Sequence, residues 1–257
     1  MMEPQRLPGR RGWDWIKQGY ALFAKAPLLW IVLLFIWIIA MLAISLVPVI
    51  GGPLSSLLTP AILAGLMSGC RALEQGHDLE LAHLLNGFKR HTSQLVTLGG
   101  ISLVVQFLIL GLMMMTGGAA LVSLLMSAQP ESDPNVLMAA VGGATFAITL
   151  GVALYLFLVS VIQFSTLLVY FNDLPPMQAI QLTVRAFLHN IRPLLVFGLT
   201  FAFLAVLASL PMFLGWVVLF PVSFTSLYAM YRDMFPPVKA SGGPAADSGV
   251  HNAQSYY

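Results

Sequence analysis

Candidate chemistry in this chain is confined to a few side chains. His77 and His83 stand close to Glu74, Asp78 and Glu80 in the stretch RALEQGHDLELAHLLNGFKRHTSQ, residues 71–94. Imidazole and carboxylate together could hold a zinc ion. The plainer reading of that stretch is a solvated interfacial loop. The other histidines, His91, His189 and His251, share no metal-ligand spacing with cysteine. Met113, Met114 and Met115 form a triple, and Met126 and Met138 fall at a similar predicted level. Thioethers select Cu(I), which makes an outer-leaflet copper site conceivable. Methionine that packs or faces lipid is the competing explanation. Gln106 and Gln163 are the most polar side chains set well inside apolar sequence. They are expected at similar depth on neighbouring helices, where they could bond as a structural clamp or touch a substrate. Cys70 is the single cysteine, so no intramolecular disulfide can form. It reads as a small apolar residue at a helix end, with a redox role as the alternative. From these candidates no catalytic residue, cofactor site or metal site is assigned.

What is missing is also informative. The predicted spans contain no Asp, Glu, Lys, Arg or His. Ionisable residues inside a membrane mark proton relays and ion pathways, so their absence argues against a proton-coupled pump. It also removes in-membrane acid–base catalysis and a histidine-assisted nucleophile. No Walker pattern, G-x-G-x-x-G or H-E-x-x-H is present. The chain is expected not to be an enzyme and not to bind nucleic acid.

The elements that must position these residues follow from composition. Of 257 residues, 58% are hydrophobic and only 9% charged, against about a quarter charged in soluble domains. Four long windows, 26–70, 91–130, 134–172 and 193–231, carry no Asp, Glu, Lys or Arg. A bilayer-spanning helix needs about 20 apolar residues, so each window holds one or two spans. The fold class is all-α, a polytopic transmembrane helical bundle of about six spans. Alternating segments of the β-barrel kind are absent. All twelve Lys and Arg fall at residues 6–25, 71–90, 185–192, 232 and 239. The positive-inside rule places these regions, and both termini, on the cytoplasmic side of a multi-pass protein.

Three amphipathic surface helices are expected, each preceding a helical hairpin. The first is WDWIKQGYALFAKA, residues 13–26, with Ile16, Tyr20 and Phe23 on one stripe and Pro27 ending it. The second lies within 71–94, with Asp78 as a cap candidate and Leu81, Leu84, Leu85 and Phe88 as its apolar face. There Lys89, Arg90 and His91 could meet lipid phosphates. The third is DLPPMQAIQLTVRAFLHNIRP, residues 173–193. Asp173 is its cap candidate, Pro175 and Pro176 suit a first turn, and Pro193 ends it. Ile180, Val184, Phe187 and Ile191 are its apolar face, with Gln181, Arg185, His189 and Arg192 opposite.

The spans are read as 28–47, a short 54–69 containing Pro60, one from Leu95, one ending at Phe171, 194–210, and 216–231 containing Pro221. The third and fourth apolar runs are too long for simple crossings. Either both helices protrude on the outer side, broken near Gly117-Gly118, or residues 117–146 add an outer element. Residues 1–12 are expected to be loose and 236–257 to form a disordered cytoplasmic tail. Residues 1–235 make one integral membrane domain with quasi-repeat units at about 13–71, 78–171 and 178–232. The first and last share Pro-Leu-Leu after the surface helix, Ser-Leu before an outer proline, and an arginine (Arg71, Arg232) eleven positions after an inner proline. Chance similarity between helical hairpins is the alternative.

The fragments Trp13-x-Trp15-Ile16 with Pro27, Gly87-Phe88-Lys89-Arg90, and Asp173-x-Pro175 with Ala179-Ile180, Asn190 and Pro193 resemble a group of uncharacterised six-span inner-membrane proteins of proteobacteria. More widely, the units look similar to the membrane domain of some glycerophosphodiester phosphodiesterases. The resemblance covers about residues 12–235. It implies a bacterial cytoplasmic membrane and carries no site residues. The expected role is a non-enzymatic scaffold or accessory membrane protein, whose partners are membrane lipids and another membrane protein or a second copy. The alternative is a transporter or lipid-handling protein for an apolar or lipid substrate.

Overall fold

Proline and charge punctuate the chain at the points where the helices start and stop. The computed structural model describes residues 4–126 and 134–236. It contains α1 (Arg11–Phe23), α2 (Pro27–Ser45), α3 (Gly51–Glu74), a 3₁₀ segment (Leu81–Leu85), α4 (Asn86–Lys89), α5 (Thr92–Met113), a π segment (Met114–Gly118), α6 (Ala119–Met126), α7 (Pro134–Asn172), α8 (Pro176–His189), α9 (Ile191–Ser209) and α10 (Trp216–Met234). No strand occurs among the described residues. The tail expected beyond 236 lies outside them, as do residues 127–133.

Five helical segments are long and apolar enough to cross a membrane: Pro27–Ser45, Gly51–Glu74, Thr92–Gly118, Pro134–Asn172 and Ile191–Ser209. The expected sixth, α10, has the length at 19 residues but not the apolarity. Its inner half carries Thr225, Ser226, Tyr228, Tyr231, Arg232 and Asp233, all suited to a helix surrounded by protein. The second span is not short. α3 runs 24 residues through Pro60, about 36 Å. The two over-long runs both protrude. α7 is a single 39-residue helix, about 58 Å, whereas α2 and α9 have 19 residues each, about 28 Å. The predicted break is at Gly117, whose φ of 145° sits inside the π segment. Its Cα side lies against the Gly143 backbone of α7, too close for any Cβ. Glycine is needed there both for the dihedral and for the approach.

The core sits at the charged end. The halves of α3, α7 and α10 nearest the charged residues form it, with Met67, Cys70, Leu167, Leu168 and Met234 fully buried. Cys70 thus occupies the packed, small-residue role expected of it. The surface segments wrap this core: α1 packs on α9 and α10, the 3₁₀–α4 segment on α3, and α8 on α7. Each covers the helix that returns to this side. Small residues allow the contact. Gly19 lies directly on the backbone of Ser226, and Gly87 on the carbonyl of Ala61. Ala179 and Ala186 of α8 are fully buried.

Several local expectations are corrected. Asp173 does not cap α8. Its backbone is left-handed (φ 55°), Pro175 holds the cap position without a side-chain bond, and the carboxylate binds Arg90 at 2.7 Å and His91 at 2.6 Å instead. Arg90 and His91 are therefore engaged by protein, although Arg90, like Lys89, is exposed. Asp78 is not a cap either. Glu80 forms a capping box with His83, and the second surface helix is a 3₁₀ turn plus one α-turn. The buried face of α8 is Ala179, Thr183, Ala186 and Phe187, while Ile191 is 56% exposed. The helix is rolled so that its small residues and Phe187 face protein, with Ile180 and Val184 half-buried at the edge of the contact. Arg185, His189 and Arg192 are exposed as expected. Residues 4–12 are not loose. Asn190, fully buried, accepts from the Leu7 N–H at 2.8 Å and donates to the Gln5 carbonyl at 2.8 Å. The Gln5 N–H in turn donates to the Met234 carbonyl at 3.1 Å.

Candidate functional site

Aromatic residues spaced along α2, α7, α9 and α10 meet inside the bundle without filling it. They enclose a cavity of about 670 Å³, within the range of small-molecule sites. Trp37 stacks on Phe220 with ring centroids 5.4 Å apart and meets Phe224 edge-on at 5.7 Å. Phe164 and Phe187 meet edge-on at 4.9 Å, so α8 closes the inner floor. Phe197 and Phe201 of α9, stacked at 5.8 Å, complete the wall. Leu156 and Phe157 line the cavity and are 60% and 48% exposed. α7 and α9 hardly touch one another, so the cavity opens sideways between them, toward lipid.

Four polar side chains line it: Thr59, Ser160, Gln163 and Ser223. The three hydroxyls donate to carbonyls of their own helices, at 2.7, 2.8 and 2.6 Å. Gln163 has no hydrogen-bond partner among the described residues. No lining residue is Asp, Glu, Lys, Arg, His or Cys. The cavity is built to solvate an apolar body and has no acid, base or cation in its wall.

The expected Gln106–Gln163 pair does not form. Gln106 donates to Ser102 of its own helix at 3.1 Å and to Ser56 of α3 at 3.5 Å. It lies 14 residues above the start of α5 and Gln163 nine below the end of α7, about 21 and 14 Å. Height and facing direction both separate them. The methionines pack or face outward: Met113 lies on Gly151, while Met115, Met126 and Met138 are 87%, 81% and 71% exposed. Around His77 and His83, no set of three His, Cys, Asp or Glu side chains among the described residues could hold a metal. His83 binds the Glu80 backbone, and Glu74 is held by Arg232 and by Tyr228 at 2.7 Å.

A second polar group set, unforeseen from sequence, ties the inner helix ends. Arg232 binds Glu74 of α3 and Gln18 of α1, the latter at 2.5 Å. Tyr231 donates to Asn172 of α7 at 2.5 Å, and the Arg71 guanidinium lies 5.3 Å from the Phe171 ring centre. Trp15 is fully buried in this set. The cavity itself was missed because its aromatics lie on five elements. Only the run of phenylalanines at 197, 201, 220 and 224 hinted at it.

The chain is similar to a probable inner membrane protein of Burkholderia thailandensis, with 30% identity covering 95% of this chain and 97% of the relative. No protein-family model matches the chain. No solved structure matches it. The wider likeness to glycerophosphodiester phosphodiesterases finds no support in these comparisons.

Proposed function

The chain belongs to the inner-membrane protein family of this Burkholderia relative, and from that premise we propose that it binds a lipid or another apolar membrane molecule in the bundle cavity. It is an integral, multi-pass inner-membrane protein, so such molecules surround it. The observation that carries the reading is the aromatic cavity of about 670 Å³ opening between α7 and α9. Its wall offers no acid–base pair or activated nucleophile, which supports a binding or carrying role over catalysis. Lipids are the partners this reading requires.

Orientation is part of the proposal. Arg11, Lys25, Arg71, Arg90 and Arg232 gather at one end of the bundle through their contacts with the helix ends. The positive-inside rule favours that end as cytoplasmic, with α1 and the end of α10 both there.

The test is native mass spectrometry of the protein released from its own membrane, with Gly198→Phe as the comparison. Gly198 lines the cavity and has open space at its Cβ position, so a phenyl ring there fills the void without a clash. A stoichiometric lipid on the wild type, lost from Gly198→Phe, is expected. Equal retention by both would sink the proposal.

A scaffold reading has one observation in its favour. The outer end of α7 extends well past the 19-residue spans and presents Val136, Leu137, Met138 and Val141 at 44–71% exposure. Such a surface suits another membrane protein or a second copy. Its test is whether a second protein co-purifies in fixed ratio.

A further inference from the structure

We propose that the cavity takes a long-chain amphiphile head-first, with an uncharged hydroxyl or carbonyl head bound by Gln163. This deepens the lipid-binding reading and rests on it. Two observations carry it. First, the Gln163 amide lines the inner part of the cavity, one residue from Phe164, which packs on the floor residue Phe187 at 4.9 Å. Among the described residues it is the only lining amide, and apart from the Trp37 indole N–H it is the only lining donor without a hydrogen-bond partner. The hydroxyl protons of Thr59, Ser160 and Ser223 are already given to carbonyls of their own helices. An amide in an apolar wall is stabilised by a ligand that supplies both an acceptor for its N–H and a donor for its oxygen. A hydroxyl does both, and a carbonyl does the first.

Second, the wall has no cation. A phosphate or carboxylate entering the cavity would lose its hydration with nothing to replace it, at a cost of several kcal/mol. A phospholipid could insert a tail here but not its head. The aromatic walls around Gln163, with Phe201, Trp37 and Phe220 among them, suit the apolar chain of the same ligand. The chain would leave through the opening beside Leu156 and Phe157. The site thus selects neutral-headed chains such as fatty or isoprenoid alcohols, diacylglycerols and quinones over charged lipids of equal length.

The test uses the full chain in phosphatidylcholine nanodiscs. Quenching of Trp37 fluorescence by dibrominated chains is the readout, with Trp37→Phe as the background. The probes are dibrominated oleyl alcohol, the dibrominated hydrocarbon of equal length and dibrominated oleate at neutral pH. The alcohol is expected to bind about tenfold tighter than the hydrocarbon, as for one hydrogen bond made in an apolar site, and tighter than the carboxylate. Gln163→Leu and the length-matched Gln163→Met should abolish the preference for the alcohol over the hydrocarbon. Alcohol and hydrocarbon binding equally to the wild type would overturn head recognition and leave the cavity reading standing. A preference that survives both variants would overturn the role of Gln163. No quenching of Trp37 by any probe would overturn the cavity reading together with this one.

Discussion

The indole Nε1 of Trp15 donates to the Asp233 carboxylate at 3.0 Å, joining the first helix to the end of the last. Trp15 is fully buried, and Asp233, whose side chain is 14% exposed, has a second partner in Arg11 at 3.5 Å. Trp15→Phe removes the donor together with the pyrrole part of the buried indole. It should destabilise the detergent-solubilised protein by at least about 1.5–3 kcal/mol, the range for a hydrogen bond to a charged group, with the lost buried volume adding to it. Thermal unfolding followed by circular dichroism reads this. An unchanged midpoint would mean that the bond carries no net stability.

Asn190 uses both ends of its amide to hold residues 5 and 7. Asn190→Ala should leave the bundle folded but release residues 4–10. Amide hydrogen exchange at Leu7 should accelerate about tenfold or more, since its acceptor is lost. Exchange at wild-type rate would show that the Gln5–Met234 backbone bond is sufficient.

Gly87 permits the 3₁₀–α4 segment to lie on α3. A Cβ at this position would overlap the Ala61 carbonyl, and backbone on both sides cannot yield cheaply. Gly87→Ala should therefore cost about 1–3 kcal/mol, the range for overpacking. Gly198→Ala, with open space around it, should stay within about 1 kcal/mol of the wild type. Equal stability of the two variants would contradict the close approach.

The Asp173 carboxyl is held below the usual carboxylate range. Loss of hydration pushes it upward, and the hydrogen bonds and charges of Arg90 and His91 together outweigh that effect. A depressed folded-state pKa adds stability above the unfolded-state value, and that stability is lost as pH falls through the folded-state value. Asp173→Asn should accordingly flatten the acid limb of stability below about pH 4 and leave the limb above it parallel to the wild type. The difference should shrink in high salt, because the pair is exposed. An acid limb identical in variant and wild type would exclude this pair as its source.

Topology can be read with engineered thiols, since the native Cys70 is fully buried and should stay silent. Arg185→Cys should react with a membrane-impermeant maleimide only in inside-out vesicles. Leu214→Cys, in the turn between α9 and α10, should react only in right-side-out cells. Labelling of both from one side would require α9 not to cross.

The bundle was legible because spans and surface helices differ in kind. Charge-free windows marked the crossings, and Pro27, Pro176 and Pro193 marked the entries. Rotation about each helix axis was not legible. α2 and α5 are apolar on every side, so no stripe indicates which face meets protein. The roll of α8 is set by Ala179 and Ala186, whose small size matters only once α7 is opposite them. The same uncertainty placed Gln106 with Gln163 when its partners are Ser102 and Ser56. Capping failed at Asp173 because a carboxylate that can cap can equally pair, and Arg90 and His91 arrive from a segment more than eighty residues away. The cavity required five elements to be placed at once.

The docking of α1 on α9 and α10 also dictates an order of events during synthesis. α1 leaves the ribosome before its binding surface exists, because α9 and α10 follow it by some 170 to 220 residues. Until then α1 must wait as an amphipathic helix on the membrane surface. Docking of α1 therefore follows the insertion of α9 and α10. A nascent chain stalled before α9 would hold its N-terminal segment open to proteases, although every earlier helix was already in place.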